Sequence, residues 1–179
     1  VSIPAGAGAQ PTTYLAAPLA RRTEVSSIDP TPAFAFGHGL TYTTFSWADA
    51  VAEAGTVPTD GLVELSMLIA NVGDRSGVEV VQLYLHDPVA EVALPVDRLI
   101  GYARVPLAPG ARAEVRFRVP LDLASYTARD RRRIVDAGEL RFRVGRSASD
   151  IASEVAVTVT GERRVLDHTR ALVPEVIVV

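Results

Sequence analysis

The sequence predicts an all-β chain: an antiparallel β-sandwich preceded by an extended N-terminal connector. Three observations carry this. From Phe34 onward, short runs of alternating apolar and polar residues recur with turn signals between them. No stretch of helical period and useful length interrupts them. Before Phe34, Pro4, Pro11, Pro18, Pro30 and Pro32 punctuate a segment of little periodicity. Each proline removes a donor and pushes its predecessor toward extended backbone.

Taken in order, the connector comes first. Tyr14, Leu15, Leu19, Val25 and Ile28 are apolar enough to need a surface, which is expected to lie outside this chain. Then Phe34-Ala35-Phe36 leads into Gly37-His38-Gly39, where glycine permits φ > 0 or a close backbone approach. Thr41 to Val51, aromatic and β-branched, suits a half-buried first strand. Leu62 to Ala70 alternates, with Val63, Leu65, Met67 and Ile69 on one face. Asn71 to Gly77 is a turn rich in capping and φ > 0 residues.

Val78 to His86 places Val78, Val80, Val81, Leu83 and Leu85 on no single face. This predicts a central strand covered on both sides. Arg98 to Leu107 is a strand closed by Ala108-Pro109-Gly110, a hairpin signal. Ala111 to Val119 has the cleanest alternation: Ala113, Val115, Phe117 and Val119 against Arg112, Glu114, Arg116 and Arg118. Two further strands hold Leu140, Phe142 and Val144, and Val155, Val157 and Val159. Val176 to Val179 is either an extra strand or a frayed end.

Composition excludes several classes. The 179 residues fit one domain plus a tail, or one large β domain, with a core of its own. No apolar run approaches the ~20 residues of a spanning helix, so no membrane partner is expected. There is no cysteine, hence no disulfide or thiolate chemistry. A net charge of −3 argues against a nucleic-acid partner. The basic run Arg129 to Arg133 contains Asp130 and has only Tyr126 nearby to stack a base, so it reads as a solvated hairpin tip. Every basic residue is arginine, as in GC-rich coding sequence. The only methionine, Met67, sits inside a strand-like run, and the chain is expected to be a piece of a longer polypeptide.

Several phrases, in order, carry a resemblance. They are Phe34-Ala35-Phe36-Gly37-His38-Gly39-Leu40-Thr41-Tyr42-Thr43-Thr44-Phe45, Asn71-Val72-Gly73, Gly77-Val78-Glu79-Val80-Val81-Gln82-Leu83-Tyr84, Pro95 to Tyr102, Leu107 to Gly110, Asp136 to Glu139, and Val144 to Ile151. Upstream, Gln10 to Leu15 and Ser27 to Pro32 look like a connector leaving an α/β domain. Together they resemble the C-terminal fibronectin type III-like domain of family 3 glycoside hydrolases, the β-glucosidases and β-xylosidases. Ala35 departs from the family's more usual proline, and the turn at Arg129 to Arg133 is more basic than usual.

The resemblance implies an immunoglobulin/fibronectin III-like sandwich over residues 40–161. Residues 1–39 would be the connector from a preceding α/β sandwich domain, and 162–179 a C-terminal tail. It implies partners in the same polypeptide, a barrel and an α/β sandwich domain. A β-linked glycoside substrate would be reached only through those domains, and hydrolysis would proceed with retention. It implies no cofactor, and either secretion or a bacterial cytoplasm. Phe34, Phe36, Gly37, His38, Gly39, Tyr42 and Phe45 would form the interdomain hinge.

Retaining glycosidases need two carboxylates ~5 Å apart across the scissile bond. The family's nucleophile lies in a Ser-Asp-Trp phrase of the barrel and its acid is a glutamate of the next domain; neither motif occurs here. Ser149-Asp150 is followed by Ile151 and reads as a turn, so no catalytic residue is assigned. His38, His86 and His168 lack ligand spacing, so no metal is assigned. His38 is the one candidate for substrate contact, at the edge of the whole enzyme's pocket, against a plain hydrogen-bonding role at the hinge. Gly37-His38-Gly39 lacks the third glycine and the strand–turn–helix context of a dinucleotide site. Trp47, Tyr42 and Phe45 could stack a sugar or pack a core. The leading reading is a non-catalytic module of a β-glycosidase. The alternatives are a stand-alone carbohydrate-binding or adhesion sandwich, and a purely structural interaction module.

Overall fold

The structure, a computed structural model, describes residues 1–9, 12–16, 22–27 and 29–179. The connector and first turns hold β1 (Ile3–Pro4), β2 (Pro32–Phe34), β3 (Phe45–Trp47), β4 (Val51–Ala52) and β5 (Thr56–Pro58). Four long strands follow: β6 (Leu62–Asn71), β7 (Gly77–His86), β8 (Arg98–Leu107) and β9 (Arg112–Pro120). A single 3-10 turn at Leu121–Ala124 leads to β10 (Tyr126–Thr127), β11 (Arg133–Val135), β12 (Gly138–Ser147) and β13 (Asp150–Thr160). The chain ends with β14 (Arg164–Leu166) and β15 (Glu175–Val178).

Two five-stranded sheets face each other. One runs β5-β13-β12-β7-β8; the other runs β15-β9-β6-β3, with β4 also on β6. Alternation decides what lies between them. The inward residues of β6 and β9, Val63, Leu65, Met67, Ile69, Val115 and Phe117, meet Val81, Leu83, Phe142, Val144 and Val157 of the opposite sheet in one core cluster. Each such side chain contributes about 1.5–3 kcal/mol by leaving water. Two outward arginines of β9 find carboxylates instead: Arg116 pairs with Glu114 at 2.6 Å, and Arg118 with Glu64 at 2.9 Å and Glu175 at 2.8 Å. Neighbouring strands are antiparallel except β5, which lies parallel to β13 with Thr56 opposite Thr158.

β7 is central, between β12 and β8, and is covered on both sides as its pattern predicts. Val81, Leu83 and Leu85 fill the sandwich, while Gln82 and Tyr84 are equally buried on the opposite face. The cover there is the connector. Tyr14 stacks on Phe36 with ring centroids 4.0 Å apart and meets Tyr84 edge-on at 6.3 Å. The surface that Tyr14 needs is therefore in this chain, not outside it. Leu15 and Val25 are exposed, and Leu19 and Ile28 lie outside the described residues.

Two further expectations are corrected. The first strand is not Thr41 to Val51: only Phe45–Trp47 and Val51–Ala52 pair, both with β6. Thr41 to Thr44 instead crosses a corner, where the Val72 amide donates to the Thr44 carbonyl at 2.8 Å. Between the two short strands, the Ala50 amide turns to Ser153 Oγ at 3.0 Å. The second correction is Ala108-Pro109-Gly110, which is a turn but not a hairpin. It carries the chain from β8 in one sheet to β9 in the other. Gly110 sits at φ +75° and its amide donates to the Asn71 carbonyl at 2.9 Å.

Residues 129–132 do form an exposed tip, between β10 and β11, with Arg131 at φ +69° and Arg132 paired to Asp130 at 2.6 Å. The last residues are tied down. β15 pairs with β9, and Pro174 packs so closely on Gly101 that a Cβ there would stand 2.7 Å from its Cγ. Asp122 holds the approach, accepting from Arg164 at 2.5 Å and from the Ala171 amide at 2.8 Å. Among the described residues no helix is long and apolar enough to cross a membrane.

Candidate functional site

The segment that leads into the sandwich is built around one polar side chain. Gln82 interrupts an apolar run, and burial obliges it to satisfy both ends of its amide. Its Nε2 donates to the Gly37 carbonyl at 3.0 Å and to the Arg146 carbonyl at 2.5 Å, and its Oε1 accepts from Tyr84 at 2.6 Å. Gly37 lies directly over it. At φ +81° this position favours glycine, and a Cβ here would overlap the Gln82 carboxamide. The Ala148 amide adds a bond to the Phe36 carbonyl at 2.9 Å. The first glycine of Gly-x-Gly thus has both properties expected of it. Gly39 has neither: its φ is ordinary and nothing stands near its missing Cβ.

The next residues are held by Asn71, which is fully buried. Its Oδ1 accepts from Thr43 Oγ1 at 2.7 Å and from the Gly73 amide at 3.1 Å. Its Nδ2 donates to the Arg75 carbonyl at 2.7 Å and to the Leu107 carbonyl at 3.0 Å. Gly73 and Gly77 lack side chains because Thr43 passes over both; a Cβ on Gly77 would meet its methyl at 2.6 Å. One asparagine therefore pins the lead-in, the β6–β7 corner and the end of β8.

Between this lead-in and the sheet is a cleft of about 740 Å³, lined by Phe36, His38, Leu40, Glu79, Tyr102 and Arg146 among others. Glu79 is the one acidic residue of that lining, and burial pushes its carboxyl up. A single carboxylate does not supply the acid and nucleophile pair of a retaining glycosidase. Arg146 lies over the Trp47 ring, 4.6 Å from its centroid. Its lining mixes apolar side chains such as Phe36, Leu40 and Val78 with polar ones such as Thr41, Glu79 and Arg146.

The named hinge residues fall into different environments. Phe45 is buried in the sandwich core and Phe36 stacks on Tyr14. Phe34 is 52% exposed, and its ring lies 5.1 Å from that of His38. Leu40 and Tyr42 are 94% and 93% exposed. Trp47, partly buried, packs against the core rather than offering a platform. Asp150 opens β13 at the surface, 3.8 Å from Arg146. His86 contacts the Val96 carbonyl, and His168 is exposed. Among the described residues, no three His, Asp or Glu side chains stand together as a metal site. The roles of Gln82 and Glu79 had one visible signal, a polar residue inside an otherwise apolar strand.

Comparison with known proteins agrees with this geometry. Residues 79–148 match the fibronectin type III-like domain family. The chain is 39% identical over 127 residues to a β-glucosidase of Rhizobium radiobacter, an alignment covering 70% of this chain and 15% of that protein. It is 32% identical over 163 residues to a β-xylosidase of Formosa agariphila, covering 89% and 22% respectively. Among solved structures, a β-glucosidase from Erythrobacter marinus superposes with a TM-score of 0.82 at 32% identity, covering 89% of this chain and 21% of that one. The chain thus spans about a fifth or less of the relatives it matches. Its two sheets, the glycine and asparagine corners and these alignments make it a fibronectin type III-like domain of the β-glucosidases and β-xylosidases of glycoside hydrolase family 3.

Proposed function

We propose that this chain is the non-catalytic module of a larger β-glycosidase, where it stabilises the catalytic domains by packing against them. In this reading residues 1–39 connect the domains, 40–161 form the module and 162–179 close its side. Terminal β-linked glucose or xylose is removed by carboxylates of the partner domains, and His38 stands at the edge of their pocket. The supporting observation is the lead-in itself. It is pinned from below by Gln82 at the Gly37 carbonyl and by Asn71 at the Thr43 hydroxyl, while Leu40 and Tyr42 project almost fully into solvent. Rigid, exposed apolar side chains are what an interdomain contact uses.

Two measurements test this. The purified chain should give no turnover of aryl β-glucosides or β-xylosides; robust turnover refutes the non-catalytic role. In the whole enzyme, Leu40→Asp together with Tyr42→Asp should lower the thermal midpoint while leaving that of the isolated chain unchanged. Equal effects in both, or none in the enzyme, would refute the packing role.

A further inference from the structure

Three arginines that the sequence scatters come together beside the tail. Arg98 on β8, Arg133 on β11 and Arg170 before β15 line one cavity of about 180 Å³, with Asp122, Ser125 and Leu172. Many arginines of this protein pair with a carboxylate, as in Arg116–Glu114, Arg143–Asp97 and Arg163–Asp136, and Arg75, Arg104, Arg112, Arg129 and Arg131, which among the described residues do not, are exposed. Arg98, Arg133 and Arg170 differ in being partly buried and still unpaired. Among the described residues, none has a carboxylate within ion-pair distance.

They are held by neutral acceptors instead. Arg98 donates to the Leu123 carbonyl. Arg133 donates to Ser125 Oγ at 2.9 Å and to the Ser125 carbonyl at 2.6 Å. Arg170 donates to the Asp167 carbonyl at 3.3 Å. Asp122, the acid in the cavity wall, is already engaged by Arg164 and the Ala171 amide. Asp87 acts on Arg98 only at longer range. Burial first, and then the neighbouring guanidinium, depresses Arg98 and Arg133.

Partly buried like charges destabilise a fold unless something compensates them. Each guanidinium carries five donors and uses only one or two on the protein, so free donors are left in the wall. The cavity is smaller than the ~300–1,000 Å³ of pockets for drug-sized ligands. It is too small for an oligosaccharide and suits a compact oxyanion. Convergence from three separate elements favours a tetrahedral dianion over a planar carboxylate, which one arginine saturates.

We propose that Arg98, Arg133 and Arg170 form a binding site for a phosphate or sulfate group, free or as an ester. An anion here bridges β8, the β10–β11 hairpin and the tail, and so fastens the C-terminal segment to the sandwich.

The test is calorimetric titration of the full chain with inorganic phosphate and with glucose 6-phosphate, at constant ionic strength in chloride. One-to-one binding of either supports the site: phosphate alone marks a free ion, and both mark an accessible ester. Arg170→Gln should weaken binding tenfold or more, because among the described residues Arg170 donates a single hydrogen bond to the protein and keeps its other donors for the anion. Arg112→Gln, on the outer face of β9, should leave it unchanged. Arg133→Lys, which keeps charge but loses the fork, should weaken binding in a chain that still folds. The absence of heat for both probes at millimolar concentration overturns the proposal. So does undiminished binding by Arg170→Gln, which would mean general salt stabilisation.

Discussion

Replacing Asn71 by alanine strikes the point where both sheets and the lead-in are joined. Four hydrogen bonds disappear, to Thr43, Gly73, Arg75 and Leu107. The groups left behind are not equivalent. Thr43 and Arg75 lie near the surface and recover water, whereas Leu107 is buried and the Gly73 amide lies beneath Thr43. An unsatisfied buried donor or acceptor costs about 1–3 kcal/mol. Assigning this to the Leu107 carbonyl and the Gly73 amide, with a smaller sum for the other two, gives about 3–6 kcal/mol. For a chain of this size 1 kcal/mol moves the thermal midpoint by about 2–4 °C, so the drop should be about 6–24 °C.

Urea denaturation reads the effect directly. Trp47 is the only tryptophan, and its packing under Arg146 should be lost on unfolding, so its emission follows the transition. The midpoint should fall with the slope unchanged. A loss below about 1 kcal/mol would show that water or a backbone shift replaces the asparagine. The corner would then not depend on it.

Two other outcomes follow from geometry already described. Gly37→Ala should cost about 1–3 kcal/mol, the typical sum of strain at positive φ and a disturbed buried hydrogen bond. Amide exchange should quicken at Ala148, whose partner is the Phe36 carbonyl, and unchanged protection there would refute the role given to Gly37. Asp122 gives a pH dependence. Burial alone would raise its carboxyl, but the Arg164 hydrogen bond and the Ala171 amide outweigh burial and hold it below the usual carboxylate range. A depressed carboxyl stabilises the fold fully above the unfolded value of about 3.9, and that contribution drains away as pH falls through the folded value. Acid should therefore free the tail, seen as faster exchange at Ala171, and Asp122→Asn should free it at neutral pH. Equal protection in wild type and variant at pH 7 would contradict this.

What the sequence disclosed was local. The alternation of Ala113 to Val119 and the unfaced apolar run at Val78 to Leu85 specify an exposed-face strand and a doubly covered one, and both are found. Ala108-Pro109-Gly110 announced a turn correctly, but a turn's chemistry does not encode whether the next strand stays in the same sheet. Neighbour choice across the sandwich decides that, and Asn71 enforces it from a distant position. Tyr14 signalled a need for burial without naming the partner, because Phe36 and Tyr84 lie 22 and 70 positions away. Likewise, nothing in the spacing of Arg98, Arg133 and Arg170 foretells a shared cavity. The candidate lead-in was visible as a motif, but its division into a pinned underside and an exposed ridge arises only from tertiary contacts.

The parallel pairing of β5 with β13 carries a kinetic consequence. Val57 and Val159 become neighbours only after about a hundred residues of intervening chain have been closed into a loop, and the entropic cost of closure grows with that length. β5 is also three residues long, lies at the sheet's edge and ends in Pro58, which has no amide to offer. Little local enthalpy offsets the closure. β5 should therefore zip on last during folding and peel away first, making this seam the route by which the module opens below its global unfolding transition.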